Sequence, residues 1–328
     1  MAPSLALARR TAQCGVFLVG LALALSVRAQ APTAPVDCPP EAQAPSAEQV
    51  QAGMRTARDR GFLWRIDKDG RSAYLYGTLH VAKLAWTFPG PRVAQALAAS
   101  DTLALEIDLH DPDVLRGLVD GMAAAATGPL PEPLRERLAR RAAAECLSPE
   151  AFNRLNPELQ IGTLMSVAGR RDGLDPAYGI DNVLSGWGHA TRKTVVSLET
   201  PAMQLRALLL PDAAEQISFV ESSLDELESG RARPQLARMA QVWADADLPT
   251  LTRFEDWCEC MKTGSDRAAM ARLLDDRNPA LADAIDALHA SGRRVFAAVG
   301  SLHMVGPNGL PARLARRGYR VERIVAKP

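Results

Sequence analysis

The sequence predicts an α/β fold with a central mixed sheet, built from two related strand–Gly-x-x-His–helix–strand halves separated by a large helical insertion. Two observations carry this reading. An apolar strand running into Tyr76-Gly77-Thr78-Leu79-His80 returns near the end of the chain as Val299-Gly300-Ser301-Leu302-His303, each copy followed by a loop, a helical pattern and another apolar strand. Between the copies, roughly residues 111–290 read mostly as helix, punctuated by prolines that suit a first helical turn.

Taken in order, residues 1–29 read as a secretory signal. Arg9 and Arg10 supply the positive start, Val16 to Leu25 an apolar core, and Val27-Arg28-Ala29 a small-x-small cleavage site. The apolar core is ten residues long, against the ~20 that a bilayer crossing needs. A periplasmic or secreted protein without a stable membrane span after cleavage is therefore expected. Residues 30–46, rich in Pro, Ala and Gln, read as a flexible tether ahead of a single domain over 47–328. Ser46-Ala47-Glu48-Gln49 has the form of a capping box opening a short helix.

Phe62–Ile66 and Tyr74–Tyr76 read as strands joined at Asp69-Gly70, a strong hairpin signal. A helix is expected over 91–100, and Thr102–Ile107 as a buried strand. Within the helical middle the clearest strand is Thr194–Leu198. The end returns to α/β, with a strand over 294–299, a helix over 310–317 and a strand over 318–325.

Composition narrows the function. The 38 basic residues balance 38 acidic ones, and loss of the leader removes Arg9, Arg10 and Arg28 but no acid, leaving a net charge of −3. A nucleic-acid binder needs a basic excess to neutralise phosphates, so that class is excluded. Cys38, Cys146, Cys258 and Cys260 remain after cleavage. An even count in an oxidising compartment points to disulfides, with three connectivities open. The Cys258-Glu259-Cys260 spacing matches neither a zinc ribbon nor a thioredoxin motif.

The repeated unit carries the chemistry. A strand delivers the chain to the carboxyl edge of the sheet, where open α/β folds bind ligands. Glycine there allows a positive φ or a close backbone approach, and the next hydroxyl can hold the turn. If the halves pair, His80 and His303 converge on one point. Two converging neutral imidazoles with a carboxylate suit a divalent transition metal. Glu106, at the end of the 102–107 strand, is the natural third ligand, and Asp108 competes with it. A single Gly-x-x-His would ordinarily be a structural, hydrogen-bonded histidine; the second copy in the same setting separates this case from that one. His189 and His289 read as late-helix residues facing solvent or the helix dipole, and His110 as a loop residue.

Further motifs join these: Leu105-Glu106-Ile107-Asp108, Tyr178-Gly179-Ile180-Asp181, Val196-Ser197-Leu198-Glu199-Thr200, Asp276-Arg277-Asn278, and the run from Val299 to Leu310. In this order the sequence resembles the TraB/GumN family, which includes the Tiki-like metalloproteases, over nearly the whole chain after the leader. The resemblance implies an α/β fold and a divalent-metal site formed by the two Gly-x-x-His units with a nearby glutamate and arginine. For the Tiki-like branch it also implies metal-dependent proteolysis. The family is similar in fold to haem-binding proteins as well.

The expectation is therefore a metal-dependent hydrolase, a peptidase acting on a peptide or protein substrate. His80, Glu106 and His303 would hold Mn²⁺, Zn²⁺ or Co²⁺. Glu199 is the first choice of general base and Asp181 the second. Arg277 would stabilise developing negative charge or hold a substrate carboxylate. The structural alternatives are an ion pair from Arg277 to Asp275 or Asp276, and Glu199 as a cap on the helix after Pro201. The alternative function is a periplasmic metal- or haem-binding protein without turnover.

Overall fold

The computed structural model describes residues 37–125, 129–261 and 263–325. The expected leader, its cleavage site and the start of the tether lie outside them. Six strands form one sheet: β1 (Phe62–Lys68), β2 (Arg71–Thr78), β3 (Thr102–Leu105), β4 (Thr194–Ser197), β5 (Val295–Gly300) and β6 (Arg320–Ile324), in the order β4-β3-β5-β2-β1-β6. β2, β5, β3 and β4 pair in parallel, and β1 runs antiparallel to both β2 and β6. The fold is thus the mixed α/β sheet with a helical insertion that the sequence predicts.

Local chemistry explains the elements. Asp69 and Gly70 both take positive φ, 51° and 71°, as a two-residue hairpin turn matched to strand twist requires. β3 and β5 are buried almost throughout, which is why both read as unbroken apolar runs rather than alternating ones. β3 stops at Leu105, two residues short of the expected Ile107. Beyond it, backbone pairing continues toward β4 through Glu106 O, and side chains join in: the Asp108 amide donates to Ser197 Oγ at 2.9 Å, and the Glu106 carboxylate accepts from the Gly300 amide.

The connections fix where a ligand can bind. β2 continues through the helix Pro91–Ala99 to β3, passing β5; β5 continues through the helix Leu310–Arg316 to β6, passing β2 and β1. The two crossovers leave the central pair in opposite directions. Such a reversal opens a crevice beyond the carboxyl ends of the strands. The two histidine motifs flank it.

The helical middle buries a core of its own, with Leu134, Leu138, Phe152, Ile161, Leu164, Val220 and Leu224 at its centre. Pro133, Pro149, Pro157, Pro201 and Pro279 stand in first helical turns, where a missing N–H costs nothing. Ser46 caps the helix Ala47–Thr56 through the reciprocal capping box with Gln49.

Residues 37–46, expected to be tether, carry no helix or strand but are fastened down. Cys38 is bonded to Cys146, and Gln43 exchanges two hydrogen bonds with the Tyr178 hydroxyl. The second disulfide joins Cys258 to Cys260, which selects one of the three connectivities. The Cys38–Cys146 bridge spans 108 residues, and closing a loop of this size removes much of the freedom of the unfolded chain. Replacing both cysteines by serine is expected to cost about 2–5 kcal/mol in urea unfolding. An unchanged midpoint would show that the bridge contributes nothing.

Candidate functional site

Four parallel strand ends supply the site. β2 leads to His80, β3 to Glu106, β4 to Glu199 and β5 to His303. Backbone bonds from Leu198 N to Leu105 O (2.7 Å) and from Glu199 N to Glu106 O (3.0 Å) carry the β3–β4 register past the strands, so the two glutamates stand side by side.

The motif glycines are needed for closeness, not for a left-handed backbone, since neither Gly77 nor Gly300 has positive φ. A Cβ on Gly77 would lie 2.9 Å from Ser301 Oγ. One on Gly300 would lie 3.1 Å from Glu106 Oε1, 3.6 Å from His303 Cδ2 and 3.8 Å from His80 Nε2. Both imidazoles and the carboxylate therefore surround a single backbone point. Ser301 ties the two repeats together by donating from Oγ to Thr78 O at 2.7 Å.

Each imidazole is held by its Nδ1. His80 Nδ1 lies 2.9 Å from Asp181 Oδ1. His303 Nδ1 donates to Asn278 Oδ1 at 2.7 Å, which leaves the His303 Nε2 lone pair to face Arg277 Nη1 at 3.3 Å. Asp181 reaches His80 because residues 175–181 are zipped onto 79–82. Ile180 N donates to Leu79 O, Ala82 and Asp175 exchange backbone bonds, and Gly179 sits where a Cβ would meet His80 O at 2.5 Å.

Arg277, just ahead of the helix Asn278–Ala290, uses all five of its N–H groups. Nε and Nη2 bind Glu199, Nη2 also binds Glu106, and Nη1 reaches Leu273 O and His303 Nε2. The guanidinium and both glutamates are nearly or fully buried. The ion pair with Asp275 or Asp276, weighed as its structural alternative, is not formed. Glu199 also accepts from Gln204 Nε2 at 2.6 Å, so both its oxygens are occupied. The cap on the next helix is Thr200, not Glu199.

The protonation states follow from these surroundings. Burial opposes ionisation of Glu106, but His303, Arg277, His80 and the Gly300 amide hold its pKa down to about 2. Burial pushes His303 down to about 4, keeping it neutral near pH 7. The negative charge of Asp181 raises His80, whose side chain is largely exposed, to about 9. With His80 protonated, three carboxylates face one guanidinium and one imidazolium, a surplus of one negative charge that becomes two once His80 loses its proton.

The sequence-derived residues His80, Glu106, Asp181, Glu199, Arg277 and His303 thus form one connected cluster. Asn278, next to Arg277 in Asp276-Arg277-Asn278, joins the cluster through His303, a role its sequence position alone does not signal. Asp108 does not compete for the cluster; its carboxylate is drawn to Ser185 and His189. His289 stands in the last turn of its helix, as expected, but does not face solvent: it is buried, with Nε2 3.1 Å from Lys68 O and its ring against Tyr319, because the end of its helix packs on the β1–β2 hairpin. A cavity of about 730 Å³ lined by Arg238, Arg253 and Trp257 shares no residue with the cluster.

Arg277→Met would strand two buried carboxylates, and breaking a buried pair costs about 3–5 kcal/mol. Urea unfolding at pH 7 should show that loss, with Glu199→Gln in the same background recovering part of it. A change below about 1 kcal/mol would mean that the guanidinium does not hold the site together.

Among the described residues, no group of three or more His, Cys, Asp or Glu side chains is set as a ready metal cage. A sequence model of the TraB/PrgY/gumN family matches residues 62–323. No curated protein and no solved structure was found to match the chain.

Proposed function

The chain belongs to the TraB/PrgY/gumN family, and from that premise and the strand-end cluster we propose that it is a metal-dependent hydrolase, a peptidase acting on a peptide or protein. The observation that carries this reading is the paired tethering of His80 and His303. Each Nδ1 is held by a side-chain oxygen while each Nε2 is left on the Glu106 side. Orienting one ring nitrogen so that the other presents a lone pair is how proteins prepare metal-binding histidines. The residue chemistry fits a divalent ion: two imidazoles, one ionised carboxylate and, once His80 gives up its proton, a local surplus of two negative charges that a dication offsets. His80, Glu106 and His303 would hold Mn²⁺, Zn²⁺ or Co²⁺, with Arg277 giving up its contact to His303 Nε2. When bound, the metal would supply a water of lowered pKa and polarise the scissile carbonyl.

The chain's own groups divide the remaining work. Glu199, with both oxygens taken, positions Arg277 rather than acting as base. Asp181 Oδ1 holds His80, while its Oδ2 has no partner among the described residues and its side chain is partly exposed. Asp181 therefore takes the proton of the attacking water and delivers it to the leaving amine nitrogen as the C–N bond breaks. The Arg277 Nη1–H that now faces His303 becomes free to donate to the developing oxyanion. The two disulfides support an exported protein, since such bonds persist in oxidising surroundings.

His80→Ala should remove the metal equivalent held at the strand-end cluster and abolish cleavage of a peptide panel. Asp181→Asn at saturating metal should keep binding but lose turnover by about 10²–10⁴-fold. Metal bound without turnover in the wild type would leave a binding protein only. Near pH 7 His80 is protonated while His303 and Glu106 are not. Metal binding should then release about one proton, since a ligating imidazole must be neutral. Calorimetry in buffers of different ionisation heat measures this directly. Affinity should rise with pH until His80 titrates at about 9.

A further inference from the structure

A second histidine cluster lies along the same helix, outside the site described above. On the helix Ile180–Ala190, Asp181, Ser185 and His189 recur every fourth residue and share one face. Asp181 serves His80, whereas the other two meet the chain just past β3. Ser185 Oγ donates to Asp108 Oδ1 at 2.5 Å and lies 2.8 Å from His110 Nδ1. His189 Nε2 lies 2.7 Å from Asp108 Oδ2, and the His110 amide donates to Asp108 Oδ1 at 3.1 Å. Asp108 and Ser185 are buried, while the two imidazoles are each a little under half exposed.

This network fixes both tautomers. Ser185 gives its only proton to Asp108, so it accepts from His110 Nδ1–H and leaves a lone pair on His110 Nε2. Asp108 accepts from His189 Nε2–H, leaving the lone pair on His189 Nδ1. Neither free nitrogen has a recorded partner among the described residues. The ring centroids are 5.7 Å apart and tilted by 39°. Two imidazoles sharing one zinc, at ~2.0–2.1 Å per Zn–N bond, bring their centroids to about 5–6 Å. At 1.5 Å of rise per residue, His189 stands about 12 Å along the helix from Asp181, too far for both histidine pairs to share one ion.

We propose that His110 and His189 form a second, solvent-facing binding site for a transition-metal ion of the Zn²⁺ type, with Ser185 and the buried Asp108 as the groups that orient them. Two imidazole ligands leave the remaining positions to water. Imidazole selects Zn²⁺, Cu²⁺ or Ni²⁺ over Mg²⁺ and Ca²⁺. Ser185 and Asp108 are positioning residues that act through the rings.

The test is Zn²⁺ titration of the mature chain, free of any added histidine tag, against a chromophoric chelator. His110→Gln and His189→Gln should each bind one Zn²⁺ fewer per chain than the wild type, whatever the His80 cluster binds. Ser185→Ala should keep the stoichiometry but weaken that one equivalent by about 10–100-fold. Circular dichroism melts confirm that the variants fold, as expected for half-exposed rings. Equal stoichiometry and affinity in the wild type and both glutamine variants would overturn the proposal, as would the loss of one equivalent from a folded His289→Gln control.

Discussion

Parallel pairing of β2 with β5 is the constraint on which the rest depends. The two strands come from opposite ends of the chain, and their pairing brings Thr78 opposite Gly300. Every strand-end group of the cluster is located relative to that pair: His80 and His303 directly beyond it, Glu106 from the next strand, and Glu199 from the one after. The absence of side chains at Gly77 and Gly300 lets the strand ends approach closely enough to matter. Methyl groups there would press against Ser301 and Glu106, which would have to give way by a few tenths of an ångström.

Around this frame the electrostatics are arranged for tension rather than neutrality. Arg277 is fully hydrogen-bonded and almost buried, yet it satisfies only one of the two glutamates' charges, with Asp181 adding another nearby. A buried ion pair is weak evidence of stability in itself, because desolvation of both partners offsets much of their attraction. Its geometric effect is clearer. The planar guanidinium fork, which a lysine could not copy, fixes Glu106, Glu199 and the free face of His303 in one plane of contacts.

Much of the fold was legible in the sequence because its signals are local. Asp69-Gly70 specifies a turn, Ser46-x-x-Gln49 a helix start, and the apolar runs of β3 and β5 a buried sheet. The candidate cluster was legible because a repeated motif marks two equivalent strand ends, and Glu106, Glu199, Asp181 and Arg277 each sit at an element boundary. What could not be read was which oxygen faces which proton. Glu199 and Asp181 look alike as strand-end and helix-start acids, and only the third dimension shows one enclosed by Arg277 and Gln204 and the other with an oxygen to spare. The same reason hides the partnership of Asp108 with His189 and the burial of His289. These depend on contacts between residues about 80 and 220 positions apart.

The position of β5 in the sheet has a consequence for how the molecule comes into being. It lies between β2 and β3, two strands made early in synthesis, yet it is itself made near the end. Until it emerges, β2 and β3 have no common neighbour, and the first histidine waits beside an unfilled slot. Folding of the sheet must close a loop of some two hundred residues before its central pairing repays the entropy. The helical middle, with a core of its own, can form in that interval and shield part of the waiting surface. A chain interrupted before its last few dozen residues therefore lacks the middle of its sheet, not merely an edge, and brings only one of the two motif histidines to the crevice.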